Sequence, residues 1–255
     1  VELACALRLF KENPLEEICE RIRKIGFRGV ELDWEILSRQ LAKDLHWYVT
    51  LGRQLERLEL KATSIRVGKF TAERDDQQEL QVHVISQLFH PIQELGCKRV
   101  VLTAGPRTLE NFNCLREGLE SLAEKAEPFG LELIVSNKLD TRMETLQDFQ
   151  ALFVTKYPPN TGVCVDVHHC HLSAINAGDL IREQGVRIKL IRLCDMMGNL
   201  AVLPGQGEIE IKGLIRALRK AEYDDMIVVD HLPQRETKIE KELQQAYQYL
   251  QEIVV

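Results

Sequence analysis

The chain has 255 residues, 45% of them hydrophobic and 28% charged, which is material for one large globular domain with a sizeable core. A formal net charge of −6 leaves no broad basic surface to neutralise phosphates, which argues against nucleic acid as a partner. No apolar stretch approaches the roughly 18 residues needed to span a bilayer, so a membrane role is not expected either. The N-terminus shows no basic region followed by a long apolar core. The seven scattered cysteines include no C-x-x-C pair and read as reduced thiols of a cytoplasmic protein. Low-complexity segments and linkers are absent, so residues 1–255 are expected to form a single domain.

Along the chain, short apolar or β-branched runs alternate with longer segments whose apolar residues fall three and four apart. Strands are predicted near Leu3 to Leu9, Gly29 to Asp33, Ala62 to Val67, Arg99 to Thr103, Leu131 to Asn137, Gly162 to His168, Lys189 to Cys194 and Met226 to His231. A helical segment follows each. In the first, Asn13 can cap, Pro14 suits the first turn, Leu15, Ile18, Ile22 and Ile25 share a face, and Gly26 ends it. The others cover about 39–57, 71–95, 108–127, 142–155, 173–184, 210–221 and 235–252. Nearly continuous apolar strands are what a parallel sheet covered by helices requires, because both strand faces are buried. Eight strand-helix units in a chain of this length predict a single (β/α)8 barrel. A doubly wound open sheet is the alternative, but no G-x-G-x-x-G turn follows the first strand.

In a barrel, alternate side chains of each strand point inward. Turning the plainly apolar residues toward the helices leaves Glu31 and Asp33 inside on the second strand and Ser64 and Arg66 on the third. Ser136 is left on the fifth with Lys138 just beyond, Cys164, Asp166 and His168 on the sixth, Arg192 and Cys194 on the seventh, and Asp230 on the eighth. Arg8 closes the first strand. Polar groups thus gather at the C-terminal strand ends, where barrel enzymes keep their active sites. The run Val163 to His169 is the most conspicuous of these ends, with three of the seven histidines, His168, His169 and His171, within four residues. Asp166 and His169 are the leading candidates there. His168 and His171 are expected to pack or be solvated, because adjacent histidines in an extended segment point opposite ways. A zinc site built from His168, His169, Cys170 and His171 is not expected. Cys164 and Cys194 read as core residues. Gly205-Gln206-Gly207 could cradle an anion through backbone N–H groups, although glycines before a helix more often only make a turn. Trp34 or Trp47 could stack on a sugar, but a single Trp usually packs.

Four stretches carry a family resemblance: Ile25-Gly26-Phe27-Arg28-Gly29-Val30-Glu31-Leu32; Thr161 to His169 with its Asp-x-x-His; the seventh strand ending in Asp195; and Leu203-Pro204-Gly205-Gln206-Gly207-Glu208-Ile209 before a helix. In this order they resemble the xylose isomerase-like TIM barrels, which include sugar isomerases and epimerases, inosose dehydratase-like proteins, dehydroshikimate dehydratases and repair enzymes of the endonuclease IV type. The resemblance implies a divalent metal held by a Glu on strand five, an Asp on strand six, a His on strand seven and a Glu on strand eight. At those positions this chain has Ser136, Asp166, Arg192 and Asp230. Ser136 is a poor ligand, and the guanidinium of Arg192 stays protonated and cannot bind a cation. The family's frequent His after strand three is Arg66 here, and the position two beyond Ser136 is Lys138.

The inward acids Glu31, Asp33, Asp166 and Asp230 are balanced in number by Arg8, Arg66, Lys138 and Arg192. The site is therefore expected to work without a divalent metal, and Mn2+, Mg2+ or Zn2+ would bind only if other ligands made up for those lost. Arg192, placed between Asp166 and Asp230, is expected to stand in for the metal. Glu31 and Asp33 are as well explained by structural pairing with Arg8 or Arg66. The resemblance implies an isomerase or epimerase acting on a small sugar, polyol or cyclic hydroxy acid, with a dehydratase as a further option. Asp166 and His169 would orient hydroxyls, Lys138 or Arg192 would stabilise an oxyanion, and Asp230 or Glu31 would move the proton. Arg8, Glu31, Arg66, Ser136 and Arg192 would contact the ligand. The alternative is a non-catalytic barrel that binds an anionic sugar or sugar phosphate through Arg8, Arg66 and Arg192. A homo-oligomer is compatible with either.

Overall fold

A computed structural model of the chain describes residues 1–10, 14–41, 44, 46–108, 110–154, 157–230 and 239–254. Its barrel strands are β1 (Leu3–Ala6), β2 (Gly29–Asp33), β3 (Lys61–Phe70), β4 (Arg99–Ala104), β5 (Glu132–Ser136), β6 (Thr161–Asp166) and β7 (Ile188–Leu193). After β7 a short antiparallel hairpin, β8 (Asp195–Met197) with β9 (Leu200–Val202), precedes the eighth barrel strand, β10 (Ile227–Val229). The eight strands pair in parallel and close in the order β1-β10-β7-β6-β5-β4-β3-β2. This is the predicted (β/α)8 barrel. Among the described residues no helix is long and apolar enough to cross a membrane.

Strand parity separates two apolar layers. Val30, Leu32, Ile65, Val163, Val165 and Ile191 belong to the large core between strands and helices. Their neighbours Ala6, Val101, Ile134, Cys164, Leu190 and Val228 fill the inside of the barrel. Two residues further along the same inward rows come Ser136 after Ile134, Asp166 after Cys164, Arg192 after Leu190 and Asp230 after Val228. An apolar plug therefore fills the lower barrel, and a charged layer sits directly above it.

Several boundaries differ from expectation. The sixth strand ends at Asp166, and Val167–Leu172 form a short helix, α8, after helices α1 (Leu15–Ile25), α2 (Trp34–Leu41), α3 (Trp47–Arg57), α4 (Asp75–Ser86), α5 (Phe89–Glu94), α6 (Phe112–Ala126) and α7 (Leu146–Leu152). Asp166 is its N-cap, with its carboxylate accepting from the His169 N–H at 3.3 Å. The three histidines are thus helical, and the rings of His168 and His169 stack with centroids 5.1 Å apart instead of pointing opposite ways. The predicted helices 39–57 and 71–95 are each split in two. In the second, Pro91 lies in the first turn of α5, where its missing N–H is tolerated. The remaining helices are α9 (Ala177–Gln184), α10 (Ile211–Lys220) and α11 (Ile239–Val254). The proposed cap at Asn13 and the predicted end of the last strand at His231 lie outside the described residues.

Asp195 organises the loop that follows the hairpin. It is fully buried, and its carboxylate accepts from the backbone N–H groups of Gly205 (2.8 Å), Gly207 (2.9 Å), Met196 (2.9 Å) and Ile209 (3.2 Å). A Cβ at position 207 would run into this carboxylate and the Met196 carbonyl, which is why a glycine stands there. The anion cradle anticipated at Gly205-Gln206-Gly207 is therefore filled by the chain's own Asp195. Replacing Asp195 by Ala would strand four N–H donors, and a loss of about 3 kcal/mol is expected by urea unfolding, with Asp195→Asn intermediate. Limited proteolysis of Asp195→Ala should cut first within residues 203–209.

Candidate active site

The floor of the mouth is an ion pair. Arg192 and Glu31 are 2% and 1% exposed, and the guanidinium meets the carboxylate through two N–H donors, Nε to Oε2 and Nη2 to Oε1, both at 2.8 Å. Ser64 Oγ donates to Glu31 Oε1 at 2.9 Å, and Arg192 Nη1 donates to Ser136 Oγ at 3.2 Å. Asp166 Oδ2 lies 3.7 Å from the same Nη1. The expected bridge from Asp166 to Asp230 through Arg192 is thus corrected: Arg192 joins Glu31 to Asp166, on the other side of the barrel axis. The geometry decides this, because a buried carboxylate takes the nearest planar donor pair.

Asp230 is satisfied elsewhere. Arg8, in the 3-10 turn after β1, donates from Nε to Oδ1 and from Nη2 to Oδ2, each at 2.7 Å. Burial would raise the Asp230 carboxyl, but Arg8, Arg66 and Arg192 outweigh it and hold it below the usual carboxylate range. Arg66 sits between two acids, 3.8 Å from Asp230 and 4.0 Å from Asp33, beyond hydrogen-bonding distance from both. Asp33 instead accepts from the Glu35 N–H at 2.9 Å. Each of the four inward acids therefore has an arginine within 4.0 Å.

Among the described residues, His169 and Lys138 at the mouth have no carboxylate in ion-pair contact. Burial depresses His169 below the ordinary histidine value against the opposing pull of Asp166, with His168, Lys138 and Arg192 adding to the depression. Its Nδ1 is out of solvent contact and has no hydrogen-bond partner, a cost that the fold does not explain. Lys138 is also lowered, by burial first and then by Lys69 and Arg66. The side chain of Asn137, which sequence reasoning missed, clamps the backbone of Asp166, accepting from its N–H at 2.7 Å and donating to its carbonyl at 3.0 Å. His171 meets the Gly198 carbonyl at 2.9 Å and ties α8 to the hairpin. The thiol of Cys164 is pushed up to about 12 by burial and cannot serve as a nucleophile near neutral pH.

Lys69 was also missed. Residues 66 and 69 would point to opposite faces of a regular strand, yet both line one cavity of about 480 Å³ together with Asp33, Trp34, Thr103 and Lys138. The pairing of β3 with β4 shifts register between Arg66 and Gly68, and this bulge restores the parity. A glycine inside a strand run, at φ +117°, was the available signal.

A closed (β/α)8 barrel with its polar groups at the C-terminal strand ends is built as a small-molecule site. The sequence profile of the xylose isomerase-like TIM barrels matches residues 19–253, and the chain belongs to that family. It is 23% identical over 256 residues to an inosose dehydratase of Lacticaseibacillus casei, covering 87% of this chain and 83% of that one. The IolI protein with a bound zinc atom superposes with a TM-score of 0.85 at 19% identity, over 100% and 98% of the two chains. A probable 3-DHS dehydratase, AsbF, involved in petrobactin synthesis in Bacillus anthracis, also reaches 0.85, at 13% identity over 98% and 99%.

The family's metal positions do not fit a cation in this chain. Arg192 fills the centre, and the hydroxyl of Ser136 accepts from it. One other donor group exists among the described residues: ligand atoms of Asp166, His168 and His169 lie within 4.8 Å of one another. Their spacing admits an ion, beside the positive charges of Arg192 and Lys138.

Glu31→Gln should destabilise by about 3–5 kcal/mol by urea unfolding, because it strands a buried guanidinium, whereas the double variant Glu31→Leu/Arg192→Met should recover most of the loss. Elemental analysis after incubation with Mn2+ or Zn2+ and dialysis should give well under one metal per chain. Stoichiometric zinc that disappears in His168→Ala would place a displaced centre on α8.

Proposed function

We propose that this protein is a sugar isomerase- or epimerase-like enzyme that moves a proton next to the carbonyl of a small sugar, polyol-derived ketone or cyclic hydroxy acid without a metal at the family position. The observation that carries this reading is the division of the mouth. Its carboxylates each have an arginine within 4.0 Å, while His169 Nδ1 is buried without a hydrogen-bond partner and, among the described residues, the Lys138 ammonium has no carboxylate in ion-pair contact. A neutral imidazole can remove the proton on the carbon beside the carbonyl, and a neighbouring ammonium can stabilise the enediolate oxygen that forms. Return of the proton to the adjacent carbon or the opposite face gives isomerisation or epimerisation. Expulsion of a β-hydroxyl as water gives dehydration, the reaction named for the Lacticaseibacillus casei relative. In this proposal Asp166 orients a substrate hydroxyl, Asp230 fixes Arg8, and Glu31 fixes Arg192.

The test is solvent exchange. In D2O, proton NMR should show loss of the signal beside the carbonyl of at least one of D-fructose, inosose or dehydroshikimate, unaffected by EDTA. Lys138→Met should slow this exchange about 100-fold or more, with a smaller change in KM. The pH profile has a definite sign. His169 must be neutral, and its lowered pKa puts the acid limb below the ordinary histidine value of 6.5. Lys138 must be protonated, and its lowered pKa puts the alkaline limb below 10.5. His169→Gln should slow exchange about 100-fold or more and remove the acid limb from whatever exchange remains.

The second reading is a non-catalytic barrel that binds an anionic sugar or sugar phosphate. Ser136, in place of the family's Glu on β5, favours it, because a hydroxyl there cannot act as base near neutral pH. Ligand binding without any exchange across the panel would support this reading and rule out the first.

A further inference from the structure

The cavity between β2, β3, β4 and the loop after β5 is lined by four cations, Arg66, Lys69, Lys138 and Arg192, against two carboxylates, Asp33 and Glu35. The charges that are already matched can be removed from this comparison. Arg192 is bound to the buried Glu31, and Glu35 is paired with Arg39 at 2.8 Å. What remains is Arg66, Lys69 and Lys138 around Asp33. Arg66 is within hydrogen-bonding distance of neither flanking acid, and its Nη1 is shielded from solvent with no hydrogen-bond partner. Among the described residues, neither lysine ammonium has an ion-pair or hydrogen-bond partner. In a chain of net charge −6, three cations around one lining carboxylate, none of them hydrogen-bonded to it, make a concave site with a local excess of positive charge suited to an anion.

The backbone supports the same conclusion. The bulge between Arg66 and Gly68 turns Lys69 onto the face that carries Arg66. Gly68 has open space where a Cβ would be, so its place there follows from its φ of +117° and not from crowding. The strand leaves its regular path where doing so adds a second cation to the cavity.

We infer that this cavity is a subsite for a carboxylate or phosphate on the sugar-like substrate, held by Arg66 and Lys69, with Lys138 at the border between the anion and the reacting carbon. The inference rests on the proposed sugar-directed function for the identity of the rest of the molecule. Arg8 and Arg192, candidates for anion binding from sequence, are excluded from this role because Asp230 and Glu31 already take their donor pairs. Trp34, at the start of α2, lines the wall beside them.

Calorimetric titration of the full chain with D-glucuronate, D-fructose 6-phosphate, inorganic phosphate and D-fructose tests the subsite and distinguishes carboxylate from phosphate. At least one sugar anion should bind about tenfold or more tightly than D-fructose, and Lys69→Gln should weaken that anion about tenfold without changing D-fructose affinity. Lys69 is exposed, so this variant should fold as the parent does; Arg66→Gln should act in the same direction. Affinity for the anions should fall with added salt more steeply than for D-fructose. Binding of no anion, or anion binding indifferent to Lys69→Gln, overturns the subsite. Exchange on neutral sugars with no anion preference would leave the proposed function standing without it, and Lys69-dependent anion binding with no exchange would do the reverse.

Discussion

The buried pair of Arg192 and Glu31 sets the terms for the mouth of the barrel. A guanidinium almost wholly out of water is tolerable only with its charge and donors met, and Glu31 with Ser136 accepts from all three of its nitrogens. Once Glu31 is committed, Asp166 faces the remaining edge of Arg192, and Asp230 must find another cation, which is Arg8. Each pairing forces the next. The apolar layer beneath, from Ala6 to Val228, excludes the water that would otherwise relax these choices.

The same pairing explains how a family barrel can lose metal-binding positions without leaving its carboxylates stranded. A divalent ion and an arginine both compensate acids, but they differ in what they allow next. An ion keeps open coordination positions for substrate oxygens, whereas a guanidinium held bidentately has little left to offer. Chemistry at such a mouth then depends on side chains around the rim. In the proposed reaction those are His169, placed by the helix that Asp166 caps, and Lys138, whose pKa burial and neighbouring cations lower.

Asp195 does for the loops what Arg192 does for the floor. One carboxylate collects four backbone N–H groups and fixes the path from the hairpin to α10. A loop motif that could have bound an external anion is in this way an internal structural clamp. The cations available to an outside ligand lie across the mouth, on β3 and after β5, where a bulge brings them together.

The barrel was legible in the sequence because strand parity and helix period are local properties: the outward valines and isoleucines must meet helices, and what is left over must point in. On this basis Glu31, Arg66, Ser136, Asp166, Arg192 and Asp230 could be placed at one end of the molecule. Their partners could not. Which arginine meets which acid depends on distances across a closed barrel, between residues 161 and 222 positions apart in the chain. The histidine run looked like the end of a strand because its composition is the same either way, and the Asp166 cap, a contact to a backbone N–H, decided for a helix. Lys69 was hidden by a parity rule that a single bulge reverses. Sequence determined the fold and the set of charges in the site; only the closed structure, through long-range pairing in a water-poor interior, decided which of those charges remain for a ligand.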